Sequence, residues 1–526
     1  MSEKRLLVFR VDTDQPEHLL ESLLQILPAI GMRSGSLRHT PLQNTLIHIG
    51  KLGVQCVLLQ TNVQDPDFIA EHSAYYSKWS LKVPRYCHRL HFFTEPPESD
   101  EPLKVVDQMA SVQDSYIGFV TIRPISVCPE GATILKPLQQ KEAHFILSKD
   151  KFIVHIAGQE FSVNGTPFLQ QDNAVGACAQ ASIWMALRTL RRKEGQSAFS
   201  PAQITSAATR FLVRGRTLPN RGGLIIEQVT EAIRAAGYSP HMIPLRRMDS
   251  EANKQTLAEA KKSLYTYVES GIPMLIMLFP KNGEGHAVLL IGHGWDANPQ
   301  ELLENTKIEN DNGHWRMSIY DASSWVEPFY IHNDNSGPYL PLPEDGESYT
   351  LKDAVSAIPF LHPDVFIDGV EAKVTCHKLL NGILNNLHSE PNDNGVVEKN
   401  FVTRTYLQER SDFRAAVLNS SMPETIKSYY RLKWLPKRIW VMEINLLDGY
   451  ERSPEGATTR VGEILLDPAS EPEDGCFLTI HLGSDILFWD NGDSGVLIDR
   501  DAFVGEITGS PVEDSRPYSP LVRHEK

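Results

Sequence analysis

Residues 170–190 read QQDNAVGACAQASIWMALRTL, and the fold turns on how they are read. A polar lead-in passes through Gly176-Ala177 into a run with helical spacing, where Ile183, Trp184, Leu187 and Leu190 form one apolar stripe. Such a stripe buries a helix against a core, and Cys178 falls where that helix begins. A cysteine attacks as the thiolate, and the unpaired N–H groups and dipole of a helix start lower its pKa. Ala177, Ala179 and Ala181 leave room for a substrate. Taken alone, however, Cys178 reads as one more small core residue, because free cysteines are usually buried and inert.

The stretch SGIPMLIMLFPKNGEGHAVLLIGHGWD (270–296) changes that reading. It is a buried strand, a Gly-bearing loop, and a second buried strand led by His286. HWRMSIYDASSW (314–325) follows after a polar insertion, 297–313. With that insertion as a loop, strands 286–295 and 315–321 form an antiparallel hairpin that sets His286 and Asp321 at the same end. A carboxylate on the far imidazole nitrogen then fixes the tautomer, while the other nitrogen faces the thiol. FYIHNDNSGPY (329–339) offers a second acid, Asp334. His293, seven residues after His286, falls on the other side of the strand and reads as structural.

Together these stretches resemble the papain-like cysteine peptidase superfamily over residues 164–340, nearer to bacterial peptidases of the C39-like type than to papain. The resemblance rests on a Gln before the cysteine, on Cys178 opening a helix, on GHAVLLIGHGWD, and on an acid after the next strand. It implies that Cys178 attacks a carbonyl and that His286 serves as base and then acid. The orienting acid is Asp321 if SIYDASSW matches the papain-type strand ending in Asn-Ser-Trp. It is Asp334 if FYIHNDNSGPY matches the C39-type strand ending in Asn-Asp-Pro. The resemblance also implies that Gln171, with Gln170 as the second match, shares the oxyanion with the backbone N–H of Cys178. The Gln–Cys spacing is one residue longer than usual, and ACAQAS lacks the Gly that commonly follows a C39-type cysteine. The implied function is a cysteine peptidase working through a thioester, without a cofactor. Two other readings stay open: a cysteine-dependent acyltransferase or deamidase, and a catalytically inactive papain-like interaction module.

At 526 residues the chain exceeds one ordinary domain. The expected class is α+β. Residues 1–150 form an N-terminal α/β region that regulates or selects substrate, and 151–350 a papain-like domain with a helical subdomain on an antiparallel sheet. Residues 351–435 are mainly helical, and 436–526 form a small β-rich unit with a frayed tail. Local signals include a helix over 16–31 stopped by Gly31 and strands within 53–61 and 116–125. A hairpin over 149–169 has Asn164-Gly165 as its turn signal, and a capping box starts at Ser200-Pro201-Ala202-Gln203. Two further helices stop at Gly237 and Gly271, and 388–400 reads as a linker.

A net charge of −15 argues against general nucleic-acid or anionic-membrane binding. The apolar runs fall short of a membrane span, and the first residues have too short an apolar run for a secretory signal. Six scattered cysteines with no C-x-x-C pair suit a reducing cytoplasm. No His/Cys cluster has closed zinc-site spacing, and no glycines have phosphate-loop spacing. The expected partners are a protein or peptide substrate and a regulatory protein bound through the flanking regions.

Overall fold

The computed structural model describes residues 5–11, 40–138, 144–171, 178–214, 223–247, 249–281, 284–309, 315–347, 349–386, 397–422, 424–450, 459–471, 475–482 and 485–488. The helix expected over 16–31 lies outside them, as do most of the expected linker and the tail.

The N-terminal region is an antiparallel meander in chain order: β1 (Leu6–Arg10), β2 (Cys56–Val63), β3 (Cys87–Phe93), β4 (Tyr116–Ile122) and β5 (Glu130–Leu135). Alternating apolar residues give it two buried faces. Helix α1 (Thr40–Lys51) covers one, packing Leu42, Leu46 and Ile49 on Val57, Leu59 and Val120. Helix α2 (Pro66–Ala74) lies in the β2–β3 connection. Helix α3 (Pro102–Ser111) puts Val105, Val106 and Met109 on the other face.

Strand β6 (His144–Ile146) leads into a hairpin, β7 (Asp150–Ile156) and β8 (Gln159–Gly165). Its turn is at Ala157-Gly158, not at the expected Asn164-Gly165, whose two residues pair with Lys151 and Asp150 at the strand end. Ala157 and Gly158 both have positive φ, 48° and 94°, which tight two-residue hairpin turns require.

Helices α4 (Cys178–Lys193), α5 (Pro201–Ala208), α6 (Ile226–Ala235) and α7 (Lys254–Glu269) follow as the spacing predicts. Ser200 and Gln203 form the expected reciprocal cap on α5. Between α6 and α7 lie the short strands β9 (Ser239–Pro240) and β10 (Ile243–Pro244). Then come β11 (Met274–Leu278), β12 (His286–Gly294), β13 (Glu304–Glu309), β14 (Trp315–Asp321), β15 (Phe329–Asn333), β16 (Gly337–Leu342) and β17 (Ala354–Leu361).

The central sheet runs β10-β17-β11-β12-β15-β16, with β6 also on β12 and β9 on β17. The expected β12–β14 hairpin is therefore absent: β12 pairs with β11 and β15, and β14 belongs to another sheet. The cause is the polar insertion, which is not all loop. Residues 304–309 form β13 and take the place beside β14.

That second large sheet runs β13-β14, then β18 (Val397–Glu409), β19 (Arg438–Leu446), β20 (Arg460–Leu466), β21 (Phe477–Leu482) and β22 (Asp485–Phe488). Its pairs are antiparallel except β14–β18, which is parallel. Helix α8 (Gly369–Asn386) precedes β18, and α9 (Arg410–Asn419) and α10 (Glu424–Leu432) connect β18 to β19. The region expected to be mainly helical thus also contains β17 and the long β18. Strand membership cuts across the expected boundary at 350/351, because β17 lies in the central sheet and β14 in the C-terminal one.

The fold is α+β, built mostly from antiparallel pairs. On β12, Ala287, Leu289 and Ile291 pack with Ile183, Trp184 and Leu187 of α4, while Val288 and Leu290 join Trp440 and Met442 of the C-terminal sheet. This packing sets the first turn of α4 against the start of β12.

Candidate thiol site

Cys178 is the first residue of α4 and is half-buried; the other five cysteines are buried. Its Sγ accepts a hydrogen bond from the Ala287 N–H at 3.3 Å, one peptide beyond His286. The thiol therefore touches the strand's backbone rather than the imidazole. Burial pushes the thiol up to about 11; the charge on Asp334 adds to this, and the N–H groups of Ala287, Ala179 and Cys178 oppose it. The helix start does act on the sulfur as expected, but burial outweighs it.

His286 opens β12 and is buried. Its Nε2 lies 2.9 Å from Asn333 Oδ1, which also accepts the Asn335 N–H at 3.0 Å. Two donors on one oxygen orient the amide, so Nε2 carries the ring proton and Nδ1 is the unprotonated nitrogen. Burial lowers the His286 pKa, and the Asn333 hydrogen bond only partly offsets it. The pairing Leu289↔His332 brings the end of β15 beside the start of β12, which places Asn333 there.

Asp334 follows Asn333 and is fully buried, with one oxygen 3.5 Å from His286 Nε2. That is too long for a hydrogen bond, and neither carboxyl oxygen has a hydrogen-bond partner among the described residues. Burial raises its pKa to about 8, so it is a neutral acid at neutral pH. Tyr349 closes the cluster. Its ring lies 5.2 Å from that of His286, its φ is +48°, and its hydroxyl pKa is raised by burial and by the charges of Asp334 and Cys178.

Asp321 is elsewhere. It ends β14, takes the Ser323 N–H at 2.9 Å as the cap of a short 3₁₀ turn, and pairs with Lys373 Nζ at 2.7 Å. Burial alone would raise its carboxyl, but Lys373 and Ser323 outweigh burial and hold it below the ordinary range. Of the two candidate acids, only Asp334 is beside His286. Gln170 is buried, and its side-chain oxygen takes the Glu130 N–H at 3.0 Å. Gln171 is half-buried at the end of that segment, and 172–177 lie outside the described residues. His293 bonds Glu269 at 2.9 Å, in keeping with a structural residue.

Sequence reasoning missed Asn333 and Tyr349. A polar Asn ending an apolar strand just before Asp334 was a usable signal for the first. Tyr349 carried none, because a loop residue reveals its neighbour only in the fold. No family model matches the chain, and no curated protein matches its sequence. Among the described residues no helix is long and apolar enough to cross a membrane, and no group of three or more His, Cys, Asp or Glu is placed to hold a metal.

Proposed function

We propose that the chain is a papain-like thiol hydrolase of the reducing cytoplasm, cleaving peptide or isopeptide bonds through a thioester on Cys178. The observation that supports this reading is the junction of α4, β12 and β15: Cys178 Sγ on the amide after His286, and His286 held through Nε2 by Asn333. In this reading Nδ1 takes the thiol proton as the imidazole turns toward Sγ. The sulfur bonds to the carbonyl carbon, and the oxyanion is met by the Cys178 N–H and Gln171. Collapse breaks the C–N bond, His286 returns the proton to the leaving amine, and water then hydrolyses the thioester.

At neutral pH the resting site holds a neutral thiol, a neutral imidazole and a neutral acid. That protonation also suits the second reading, a papain-like module without turnover. The two are separated by peptide hydrolysis and by alkylation of the six cysteines mapped by mass spectrometry. Cys178 should alkylate first in either case, since only it is half-exposed. The discriminating result is His286→Ala, which should lower hydrolysis by about 10² or more, as loss of a general base does. Turnover unaffected by both Cys178→Ala and His286→Ala would defeat the hydrolase reading.

A further inference from the structure

Helix α1 belongs to the N-terminal region, yet two adjacent residues on it reach both flanks of the thiol site. Thr45 is buried, and its hydroxyl lies 2.9 and 3.1 Å from the Glu130 carboxyl oxygens. The Glu130 N–H donates to the side chain of Gln170, and Arg123 Nη2 donates to the Gln170 carbonyl at 3.0 Å. The N-terminal sheet thus grips Gln170 by side chain and backbone, one residue before Gln171.

Asn44 reaches the other flank, where its Nδ2 donates to the Ser336 carbonyl at 2.6 Å. The Ser336 N–H in turn donates to the Asn333 carbonyl at 2.9 Å. The next residue, Gly337, has φ +133°, and a Cβ there would lie 3.0 Å from Asn44 Cβ and 3.5 Å from the Pro41 carbonyl oxygen. The β15–β16 turn therefore runs flush on the helix. Beyond it, the His48 ring stacks on Tyr339 at 4.9 Å, and Tyr339 meets the edge of His332 at 4.7 Å. The Tyr339 hydroxyl donates to the Leu135 carbonyl at 2.7 Å. These contacts fix β15 and its terminal Asn333 from the N-terminal side.

We propose that the N-terminal α/β region is a positioning part of the thiol site rather than a removable cover. Asn44 sets the turn that holds Asn333 against His286, and Thr45, through Glu130, sets Gln170 and with it Gln171. What is positioned rests on the hydrolase reading, but the test does not require turnover.

The test uses the full chain and follows the His286 ring by ¹⁵N NMR, assigned with His286→Gln, together with the pH profile of Cys178 alkylation. Asn44→Ala and Asn44→Asp remove the donor to Ser336. Both should lower the His286 titration midpoint, because the Asn333 hydrogen bond that raises it loosens. Thr45→Val keeps the side-chain shape without the hydroxyl and should move the Cys178 profile, and Thr45→Ser should restore it. Where hydrolysis is measurable, kcat should fall about tenfold or more with KM little changed, the effect of sub-ångström misplacement. If Asn44→Ala fails to fold, Asn44→Asp and Thr45→Val decide. An unmoved His286 titration and alkylation profile in folded variants overturns the proposal. A wild-type chain without Cys178-dependent hydrolysis defeats the hydrolase reading alone, and the titration still decides the positioning role.

Discussion

Asp334 is a buried carboxyl whose oxygens lack hydrogen-bond partners among the described residues, and its proton makes folding pH-dependent. The folded chain keeps that proton up to about pH 8, whereas an ordinary aspartate loses it near 3.8. Between those values the folded state binds more protons than the unfolded one, so the stability contribution is full below 3.8 and is lost as pH rises. The loss runs at about 1.4 kcal/mol per pH unit and reaches a few kcal/mol by neutral pH. Asp334→Asn removes the titration. Denaturant melts should show the variant gaining on wild type as pH rises from 4 to 8, and a constant difference would refute this account. Tyr349 acts beside it as a cover. A non-glycine residue at positive φ costs about 1 kcal/mol, so only tertiary contacts keep the ring on His286. Tyr349→Ala should speed Cys178 alkylation severalfold by uncovering the thiol, as mapped by mass spectrometry; an unchanged rate would show that the ring does not limit access.

The elements were largely legible, while their pairing was not. Helix α4 and strands β11, β12 and β14 follow from apolar periodicity, because 3.6- and 2-residue repeats are local properties. Cys178 and His286 fall at the starts of α4 and β12 for the same reason. Strand order depends instead on contacts far apart in sequence, and nothing local to Asp321 says that β14 pairs with β18 and not with β12. Asp321 reads as catalytic because an acid after a buried strand fits either role. Its actual partner, Lys373, comes 52 residues later, on α8. The pair ties the end of β14 to that helix, and both side chains are at least largely buried, at 2% and 12% exposure. Lys373→Met leaves the carboxylate uncompensated and should cost about 3 kcal/mol. Thermal melts should show that loss, while Cys178 alkylation in the folded variant stays as in wild type. A changed alkylation profile would return Asp321 to the thiol site.

The central and C-terminal sheets share one core and one buried network of polar and charged side chains. His293 on β12 meets Glu269 at the end of α7, and Glu269 meets Arg404 on β18 at 2.5 Å. Arg404 meets Glu443 on β19 at 2.8 Å, Glu443 meets Arg460 on β20 at 3.5 Å, and Arg460 continues to Glu463 at 2.6 Å and thence to His481 at 3.0 Å. All are at most 2% exposed, so the buried Glu and Arg side chains depend on one another, and the Glu269–Arg404 pair joins α7 to the C-terminal sheet. A fragment cut at the expected boundaries, 151–350, keeps Glu269 with His293 but loses Arg404, and it keeps the Asp321 carboxylate but loses its counter-charge, Lys373. It also loses β17, which pairs with β11 along Met274–Leu278, and β18, which flanks β14. The apolar cluster that holds Val288 and Leu290 also loses Trp440 and Met442. Such a fragment has a bare sheet edge, an uncompensated carboxylate and half a core, and should not fold cooperatively. Near-UV circular dichroism should show no fixed aromatic signal and calorimetry no sharp transition, whereas the full chain should show both. A fragment that melts sharply with a native-like aromatic spectrum would mean that segment 151–350 is an autonomous domain and that the C-terminal sheet is only docked on it.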